Sequence, residues 1–208
     1  MRWFNQRGAR PLRTILASSS PRRRELLAQS GLRFEIIKPD IDESRRAGED
    51  LVDYAERLSR EKAEAAARVL GGGPALIIAA DTIVLDGSEL LGKPVDADDA
   101  RRMLRRLRGR EHAVVTAFTL YLVDRAGDSP RAVTRHARTL VYMRDYSEAE
   151  IEAYVCSGDP LDKAGAYAIQ NEAFRPVARI EGSYSNVVGL PLDELRAGLR
   201  ELGIAVQS

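Results

Sequence analysis

The chain has 208 residues, 44% hydrophobic and 30% charged, a composition typical of a globular protein with an ample core. Its 32 basic and 31 acidic residues give a net charge of +1, which argues against a nucleic-acid partner. There is no apolar run of membrane-spanning length and no secretory signal, so we expect no membrane partner. The only cysteine, Cys156, excludes an intramolecular disulfide and indicates a cytoplasmic protein; we interpret it as a half-buried packing residue.

The first predicted elements are a short buried strand over 14–18 and a helix over 21–30. A proline occupies the first helical position, where it loses no hydrogen bond. This helix start presents free amides and the positive end of the helix dipole, next to Arg22 and Arg23. All of these point to one place and favour an anion such as phosphate. The alternative is an ordinary N-cap at Ser20 beside solvated arginines.

The later predicted elements alternate between strands and helices, which indicates a mixed α/β fold. In chain order they are a strand over 34–37, a helix over 51–69, a strand over 75–85 that is interrupted at Asp81 and Thr82, a hairpin strand over 89–91, a helix from Asp96 to 108, strands over 113–123 and 132–143, a helix from Ser147 to 157, a strand over 174–180 and a helix over 192–202.

Asp81 places a carboxylate in the middle of an apolar strand. Such a charge is costly unless it is paired, bound to metal or facing a cleft. It is therefore either an ion-paired or capping aspartate at a bulge, or a cavity residue suited to general-base or metal chemistry. The acidic turn over 40–43 either supplies a second oxygen ligand for Mg²⁺ or is only a solvated loop.

Only four of the 32 basic residues are lysines. Because arginine occupies the other basic positions, we expect the lysines to be enriched where a compact ammonium is needed. Lys62, Lys93 and Lys163 lie in segments with other unusual features, although each is also compatible with an ordinary surface or turn lysine. Gln170 would read a nucleobase through its amide or bond the backbone at a strand end. The arginine-rich helix over 97–108 is interpreted as an amphipathic helix with a basic outer face rather than a nucleic-acid site.

Together these segments resemble the Maf family of nucleoside triphosphate pyrophosphatases from about residue 14 to 203. Seven motifs in order carry the resemblance. They are Ala-Ser-x-Ser-Pro-Arg-Arg-x-x-Leu-Leu (17–27), Asp-Glu (42–43), Arg-Leu-x-x-Glu-Lys-Ala (57–63), Ala-Asp-Thr-Ile-Val (80–84), Gly-Lys-Pro (92–94), Ser-Gly-x-Pro-x-Asp-Lys-Ala-Gly-Ala-Tyr-x-Ile-Gln (157–170) and Gly-Ser-Tyr-x-x-Val-Val-Gly-Leu-Pro (182–191).

The resemblance implies hydrolysis of a nucleoside triphosphate to the monophosphate and pyrophosphate with a divalent cation, Mg²⁺ or Mn²⁺. It implies an α/β fold of the Maf and Ham1 type: an elongated, mixed, curved sheet flanked by helices, with two lobes and a cleft between them. We expect a single domain over 14–208 after an N-terminal extension over 1–13. A homodimer is expected by resemblance only.

The same resemblance assigns site residues. Asp81 matches the catalytic proton acceptor, and we expect it to hold the metal together with Glu43. The expected substrate-binding residues are Ser18, Arg22, Arg23, Lys62, Thr82, Lys93, Lys163 and Gln170.

Three of these positions separate the branches of the family. Arg22, Thr82 and Gln170 match the branch that acts on dTTP and UTP, whereas the branch that acts on 7-methyl-GTP has Trp, Gln and Glu there. An amide suits the edge of uracil or thymine, and a carboxylate suits guanine. Residues 171–173 replace a glycine-richer stretch, which leaves the shape of that loop open. The alternatives are a pyrophosphatase for 7-methyl-GTP or modified nucleotides, and a nucleotide-sensing regulator of cell division.

Overall fold

The structure, a computed structural model, describes residues 12–71, 73–123 and 129–204. Most of the expected N-terminal extension therefore lies outside the described residues; of its last two positions, Leu12 is buried and Arg13 already begins the first strand. No helix within these ranges is long and apolar enough to cross a membrane.

The described ranges contain seven strands, six α-helices and two short 3₁₀ turns at Asp159–Asp162 and Ala164–Ala166. The strands are β1 (Arg13–Ala17), β2 (Glu35–Ile37), β3 (Ala75–Asp86), β4 (Glu89–Leu91), β5 (Glu111–Val123), β6 (Arg131–Met143) and β7 (Val177–Glu181). The helices are α1 (Pro21–Gln29), α2 (Leu51–Leu70), α3 (Ala97–Leu107), α4 (Glu148–Cys156), α5 (Tyr184–Val188) and α6 (Leu192–Glu201).

The strands form one mixed sheet in the order β2-β1-β3-β5-β6-β7, with β4 paired to β3. Strand β1 is parallel to both β2 and β3, whereas the β3–β4 and β6–β7 pairs are antiparallel. Crossover helices connect the parallel strands, because parallel neighbours cannot be joined by a tight turn. The predicted α/β class with a mixed sheet and flanking helices is confirmed.

Local sequence signals set most of the helix ends. Ser20, Asp50 and Asp96 accept hydrogen bonds from the first backbone amides of α1, α2 and α3. Helix α4 begins with the predicted capping box, in which Ser147 and Glu150 bond each other's backbone amides. The short helix α5 was not predicted: Ser183 Oγ caps it by accepting from the Asn186 amide at 3.3 Å, but its five residues are too few to show an apolar period.

Two sequence expectations need correction. Strand β3 runs without interruption through Asp81 and Thr82, because the Asp81 carboxylate is compensated by a cation and the ladder does not have to break. Cys156 is exposed rather than half-buried. It is the last residue of α4, and its thiol donates to Glu152 one turn earlier, 3.4 Å away.

The described part of the chain divides into two compact units, the first formed by residues 12–71, 73–81, 116–123, 129–137 and 189–204 and the second by residues 82–115 and 138–188. In the first unit, small residues of α2 pack against β1 and β3. The buried cluster contains Ile15, Ala17, Ala63, Ala66, Ile77 and Ala79. Alanine at the contact lets a helix lie close to the sheet, and this brings polar side chains of α2 within reach of β3.

The second unit packs α3 and α4 around a core of aliphatic and aromatic residues. Met103 and Leu104 of α3 join Ile151 of α4 in this cluster. The rings of Tyr154 and Phe174 stack with their centroids 4.3 Å apart.

The basic outer face of α3 is engaged by carboxylates of its own unit. Arg101 forms two hydrogen bonds of 2.7 Å to Glu152, and Arg105 and Arg108 both pair with Glu148. Helix α4 thus offers acidic side chains to the arginines of α3. This arrangement supports the interpretation of 97–108 as a structural amphipathic helix.

His112 is a buried titratable residue in the second unit, with only 3% of its surface exposed. Its Nε2 lies 2.8 Å from the hydroxyl of Tyr167, and the two rings meet edge to face. Its Nδ1 has no hydrogen-bond partner in the described part of the chain. Burial lowers the pKa of His112 from 6.5 to about 4, although the charge of Asp86 opposes this shift.

A pH-dependent stability follows from this histidine. Below its ordinary pKa the unfolded chain takes up a proton that the folded chain refuses, so stability is lost as the pH falls from 6.5 towards 4. In His112→Leu, the free energy of unfolding should fall by about 2 kcal/mol less than in the wild type between about pH 7.5 and about pH 5. Urea unfolding at both pH values measures this. Tyr167→Phe keeps the imidazole buried and should keep the wild-type pH dependence, whereas an unchanged dependence in His112→Leu would contradict the assignment.

Candidate active site

The start of α1 holds two of the expected site residues together. Ser18 follows β1, and its hydroxyl accepts hydrogen bonds from the backbone amide of Ser20 at 3.1 Å and from Arg23 Nη1 at 3.4 Å. Arg23 Nε also donates to the carbonyl oxygen of Gly189 at 2.8 Å. Burial lowers the pKa of Arg23, while the nearby charges of Asp81 and Glu43 oppose that shift. The guanidinium is therefore fixed in place and lies within the field of two carboxylates.

The centre of the first unit's site is a lysine between two carboxylates. Lys62 Nζ lies 2.6 Å from Asp81 Oδ1 and 2.8 Å from Glu43 Oε1. The side chains of Lys62 and Asp81 are only 10% and 13% exposed, whereas that of Glu43 is 55% exposed. Asp81 is thus ion-paired, and its expected catalytic role stays a prediction. Opposite charges at this distance and burial interact far more strongly than an exposed pair.

A buried chain of hydroxyl groups fixes helix α2 one turn before Lys62. Ser59 Oγ donates to the carbonyl of Glu56 and lies 2.7 Å from Thr119 Oγ1 on β5. Thr119 Oγ1 lies in turn 2.9 Å from Thr134 Oγ1 on β6. Because buried polar groups must be satisfied, this chain and the alanine contacts restrict the rotation of α2. The ammonium of Lys62 is therefore presented to β3 in a defined position.

Glu43 belongs to an irregular segment, residues 38–50, that is tied to α2 by side chains. The hydroxyl of Tyr54 donates to the Glu43 carbonyl at 2.8 Å. The guanidinium of Arg57 bonds both oxygens of Glu49 at 2.6 and 2.9 Å and donates to the Ser44 carbonyl at 3.0 Å. This hydrogen-bonded pair lowers the pKa of Glu49 to about 2. The segment is thus held at Glu43 and at the residues that follow it.

Sequence reasoning missed the roles of Arg57 and Tyr54. Arg57 opens the motif 57–63 and stands four residues before Glu61, to which it also donates at 3.1 Å, so the helical spacing was a usable signal. Tyr54 carries no such signal, because its partner is a backbone carbonyl. The charges of Asp81 and Glu43, added to burial, raise the pKa of its hydroxyl.

In the second unit, the expected residues lie on the β3–β4 hairpin and in the loop after α4. Thr82 directly follows Asp81 on β3 and is half-buried. Lys93 is exposed just after β4. The neighbouring Gly92 carbonyl accepts a hydrogen bond of 3.0 Å from the amide of Gly165, which ties the end of the hairpin to the loop.

Lys163 is buried and engaged within its own loop. Its ammonium donates to the carbonyl and carboxylate of Asp159 and, at 2.6 Å, to Asp162. Three acceptors match the three donors of an ammonium, so this lysine supports the loop fold. Its expected contact with substrate stays a prediction.

The loop that carries Gln170 is shaped by Asn171. The Asn171 amide nitrogen donates to Asp159 Oδ2 at 3.2 Å, and its amide oxygen accepts from the backbone of Phe174 at 2.8 Å. Tyr154 donates to the same Asp159 oxygen at 2.7 Å. Asn171, the first of the residues that replace the glycine-richer stretch, therefore holds the loop through side-chain hydrogen bonds, with Gln170 half-buried in the turn just before it.

The structure thus brings five expected residues into linked contacts in the first unit: Ser18 with Arg23, and Glu43 and Asp81 with Lys62. Arg22 lies on the same helix turn as Arg23, and its charge acts on that guanidinium. An α/β protein with a buried carboxylate, a bridging lysine and a fixed arginine is equipped for acid–base chemistry on an anionic ligand.

Comparison with known proteins identifies the family. Residues 13–202 match the model of the Maf-like protein family, and the chain belongs to that family. A protein named dTTP/UTP pyrophosphatase from Geotalea uraniireducens (strain Rf4) is 50% identical over 189 residues, which cover 91% of this chain and 94% of that protein. A protein of the same name from Chromobacterium violaceum is 50% identical over 194 residues, 92% and 95% of the two chains. In fold, the chain is similar to the Staphylococcus aureus Ham1 protein, with a TM-score of 0.50 and 14% identity over 91% of this chain and 98% of that one.

Removal of the Arg57 guanidinium should loosen the segment around Glu43. In Arg57→Ala, the backbone amides of Arg46 and Glu49, which bond within this segment, should exchange hydrogen at least about tenfold faster than in the wild type. Hydrogen exchange followed by mass spectrometry measures this rate. Arg101→Ala removes an equivalent arginine–glutamate pair from the second unit and should leave these amides unchanged. Equal exchange rates of these amides in Arg57→Ala and the wild type would show that the Arg57 guanidinium is not needed to hold the segment.

Proposed function

We propose that this protein hydrolyses dTTP and UTP to the nucleoside monophosphate and pyrophosphate. The observation that carries the proposal is the buried Asp81 carboxylate, ion-paired with Lys62 beside Arg23. It is supported by two relatives named dTTP/UTP pyrophosphatase, which are 50% identical over more than nine tenths of both chains. Such similarity over the whole length makes a shared reaction the simplest expectation.

In the proposed reaction, Asp81 accepts a proton from the water that attacks the α-phosphorus. The water oxygen forms the new bond to phosphorus as the bond from phosphorus to the bridging oxygen breaks, and pyrophosphate leaves with the electron pair. A carboxylate within reach of the water is a suitable general base. Charge on the phosphates and on the leaving pyrophosphate would be neutralised by Lys62, Arg22, Arg23 and Lys93. Ser18 would hold Arg23 in place by accepting its hydrogen bond.

A divalent cation, Mg²⁺ or Mn²⁺, is the proposed cofactor, and Glu43 and Asp81 are the residues that would hold it. The donor set fits, because magnesium is commonly bound by one or two carboxylates together with substrate phosphates rather than by an all-protein cage. In keeping with this, no group of three or more His, Cys, Asp or Glu side chains placed for a metal occurs in the described ranges. When bound, the cation supplies Lewis-acid polarisation of the phosphate oxygens.

Base selection is proposed to rest on Arg22, Thr82 and Gln170. The amide of Gln170 can donate to and accept from the edge of uracil or thymine at once. The hydrogen bonds of Asn171 to Asp159 and Phe174 limit the freedom of the preceding turn and so support a fixed amide. We propose that Lys163 supports substrate binding by holding this loop through its hydrogen bonds to Asp159 and Asp162. We further propose that the protein acts in the cytoplasm as a homodimer, which the single cysteine and the family resemblance support.

The proposed reaction is tested by pyrophosphate release with Mg²⁺ from dTTP, UTP, CTP, GTP, ATP and 7-methyl-GTP. Release should be fastest from dTTP and UTP, and Asp81→Asn should lower kcat by at least about a hundredfold, because the general base is lost, while nucleotide binding remains. Asp53→Asn, an exposed aspartate of α2, is the control.

Other outcomes of that panel separate the alternatives. A preference for 7-methyl-GTP would contradict the assignment to pyrimidine nucleotides but keep the reaction. Nucleotide binding without turnover of any substrate would contradict the enzyme and favour a nucleotide-sensing regulator of cell division. Undiminished turnover in Asp81→Asn would contradict the proposal that Asp81 is the general base.

Gln170→Glu tests the base assignment separately. A carboxylate cannot donate a hydrogen bond to uracil, so kcat/KM for UTP should fall by at least about a hundredfold relative to that for 7-methyl-GTP. Steady-state kinetics with both nucleotides measures the ratio. Gln29→Glu, an exposed position on α1, should leave it unchanged. A constant ratio in Gln170→Glu would show that this side chain does not read the base.

A further inference from the structure

The ammonium of Lys62 lies where two carboxylates converge. Its distances to Asp81 Oδ1 and Glu43 Oε1 are 2.6 and 2.8 Å, both within hydrogen-bond range. These are the same two carboxylates that the proposed function assigns to a divalent cation. An ammonium and a metal ion both need carboxylate oxygens at close range, so they compete for one pair of ligands.

The two arms of this bridge differ in strength. Lys62 and Asp81 are both withdrawn from water, so separating them would leave a buried charge uncompensated. The Glu43 side chain is 55% exposed, and an exposed ion pair contributes little free energy. Glu43 is therefore the ligand that Lys62 can release at small cost. The ammonium would give up this contact readily if it gained another anionic partner.

The charge around the site also disfavours a cation in the absence of nucleotide. Arg23 lies within the field of Asp81 and Glu43, so two positive groups already face the two carboxylates. A divalent ion would add two further positive charges at this place. The phosphates of a nucleoside triphosphate carry the negative charge that removes this imbalance and offer Lys62 the alternative partner.

We propose that Lys62 is a competitor of the divalent cation, so that nucleotide strengthens metal binding by drawing the ammonium away from Glu43. The proposal rests on the proposed function for the identity of the metal ligands. It makes cation and nucleotide bind cooperatively, and the coupling is reciprocal: each raises the affinity for the other by the same factor. The enzyme would then hold metal weakly until a triphosphate is present.

The test measures Mn²⁺ affinity by electron paramagnetic resonance, with and without a non-hydrolysable α,β-methylene analogue of dTTP. In the absence of the analogue, Lys62→Met should bind Mn²⁺ at least about tenfold more tightly than the wild type, because its competitor is gone. The gain in Mn²⁺ affinity on adding the analogue should be smaller in Lys62→Met by the same factor. Lys62→Arg keeps the positive charge and should stay close to the wild type.

Further variants keep the test decisive. Lys62→Gln replaces the ammonium by a neutral polar group and covers the case in which Lys62→Met fails to fold, as judged by circular dichroism. Glu43→Gln and Asp81→Asn should each weaken Mn²⁺ binding, which locates the site. Equal Mn²⁺ affinity in the wild type and the neutral variants would overturn the proposal.

Pyrophosphate release by the same wild-type preparation separates this inference from the proposed function. Turnover of dTTP together with unchanged Mn²⁺ affinity in the neutral variants would refute the competition alone. Absence of turnover together with tighter Mn²⁺ binding in those variants would refute the reaction alone.

Discussion

The ion pair between Lys62 and Asp81 is the contact on which the first unit's site depends. A carboxylate in the middle of an apolar strand costs several kcal/mol unless a cation meets it at hydrogen-bond distance. That requirement fixes the position of α2 relative to β3. The alanine face of the helix sets its distance from the sheet, and the hydroxyl chain from Ser59 sets its rotation. Because each of these contacts supports the others, β3 continues through a charged residue as one strand.

Around this rigid pair the chain places a group that is held less firmly. Glu43 has no regular secondary structure to hold it, and its side chain is largely exposed. Its backbone, in contrast, is fastened by Tyr54, and the residues that follow it are fastened by Arg57. A fixed backbone with a solvent-accessible carboxylate lets the side chain change partners without unfolding the segment. Rigid support for the proposed general base and an adaptable second carboxylate, the proposed metal ligand Glu43, are consistent with a reaction that first has to admit a highly charged substrate.

The sequence predicted the elements more fully than their arrangement. The caps at Ser20, Asp96 and Ser147 were readable because each bonds an amide three residues away. The sheet order was not readable, since β1 lies between β2 and β3 and such pairing depends on distant residues. The same limit applies to the site. Asp81 stood out as a local anomaly. Its ion pair with Lys62, and the pairing of Arg57 with Glu49 that holds the segment around Glu43, depend on tertiary contacts that no local pattern encodes.

Arginine and lysine engage carboxylates differently in this chain, and two of its four lysines, Lys62 and Lys163, are buried. Where a single carboxylate has to be gripped by both oxygens, the chain uses the planar fork of arginine, as between Arg57 and Glu49. The compact ammonium instead meets two carboxylates with one nitrogen atom, at Lys62 and again at Lys163. The two lysines differ in the origin of their partners. Asp159 and Asp162 lie within four residues of Lys163, so that ammonium closes a local loop. Asp81 is 19 residues from Lys62 and on another element, so this ammonium joins separate parts of the fold.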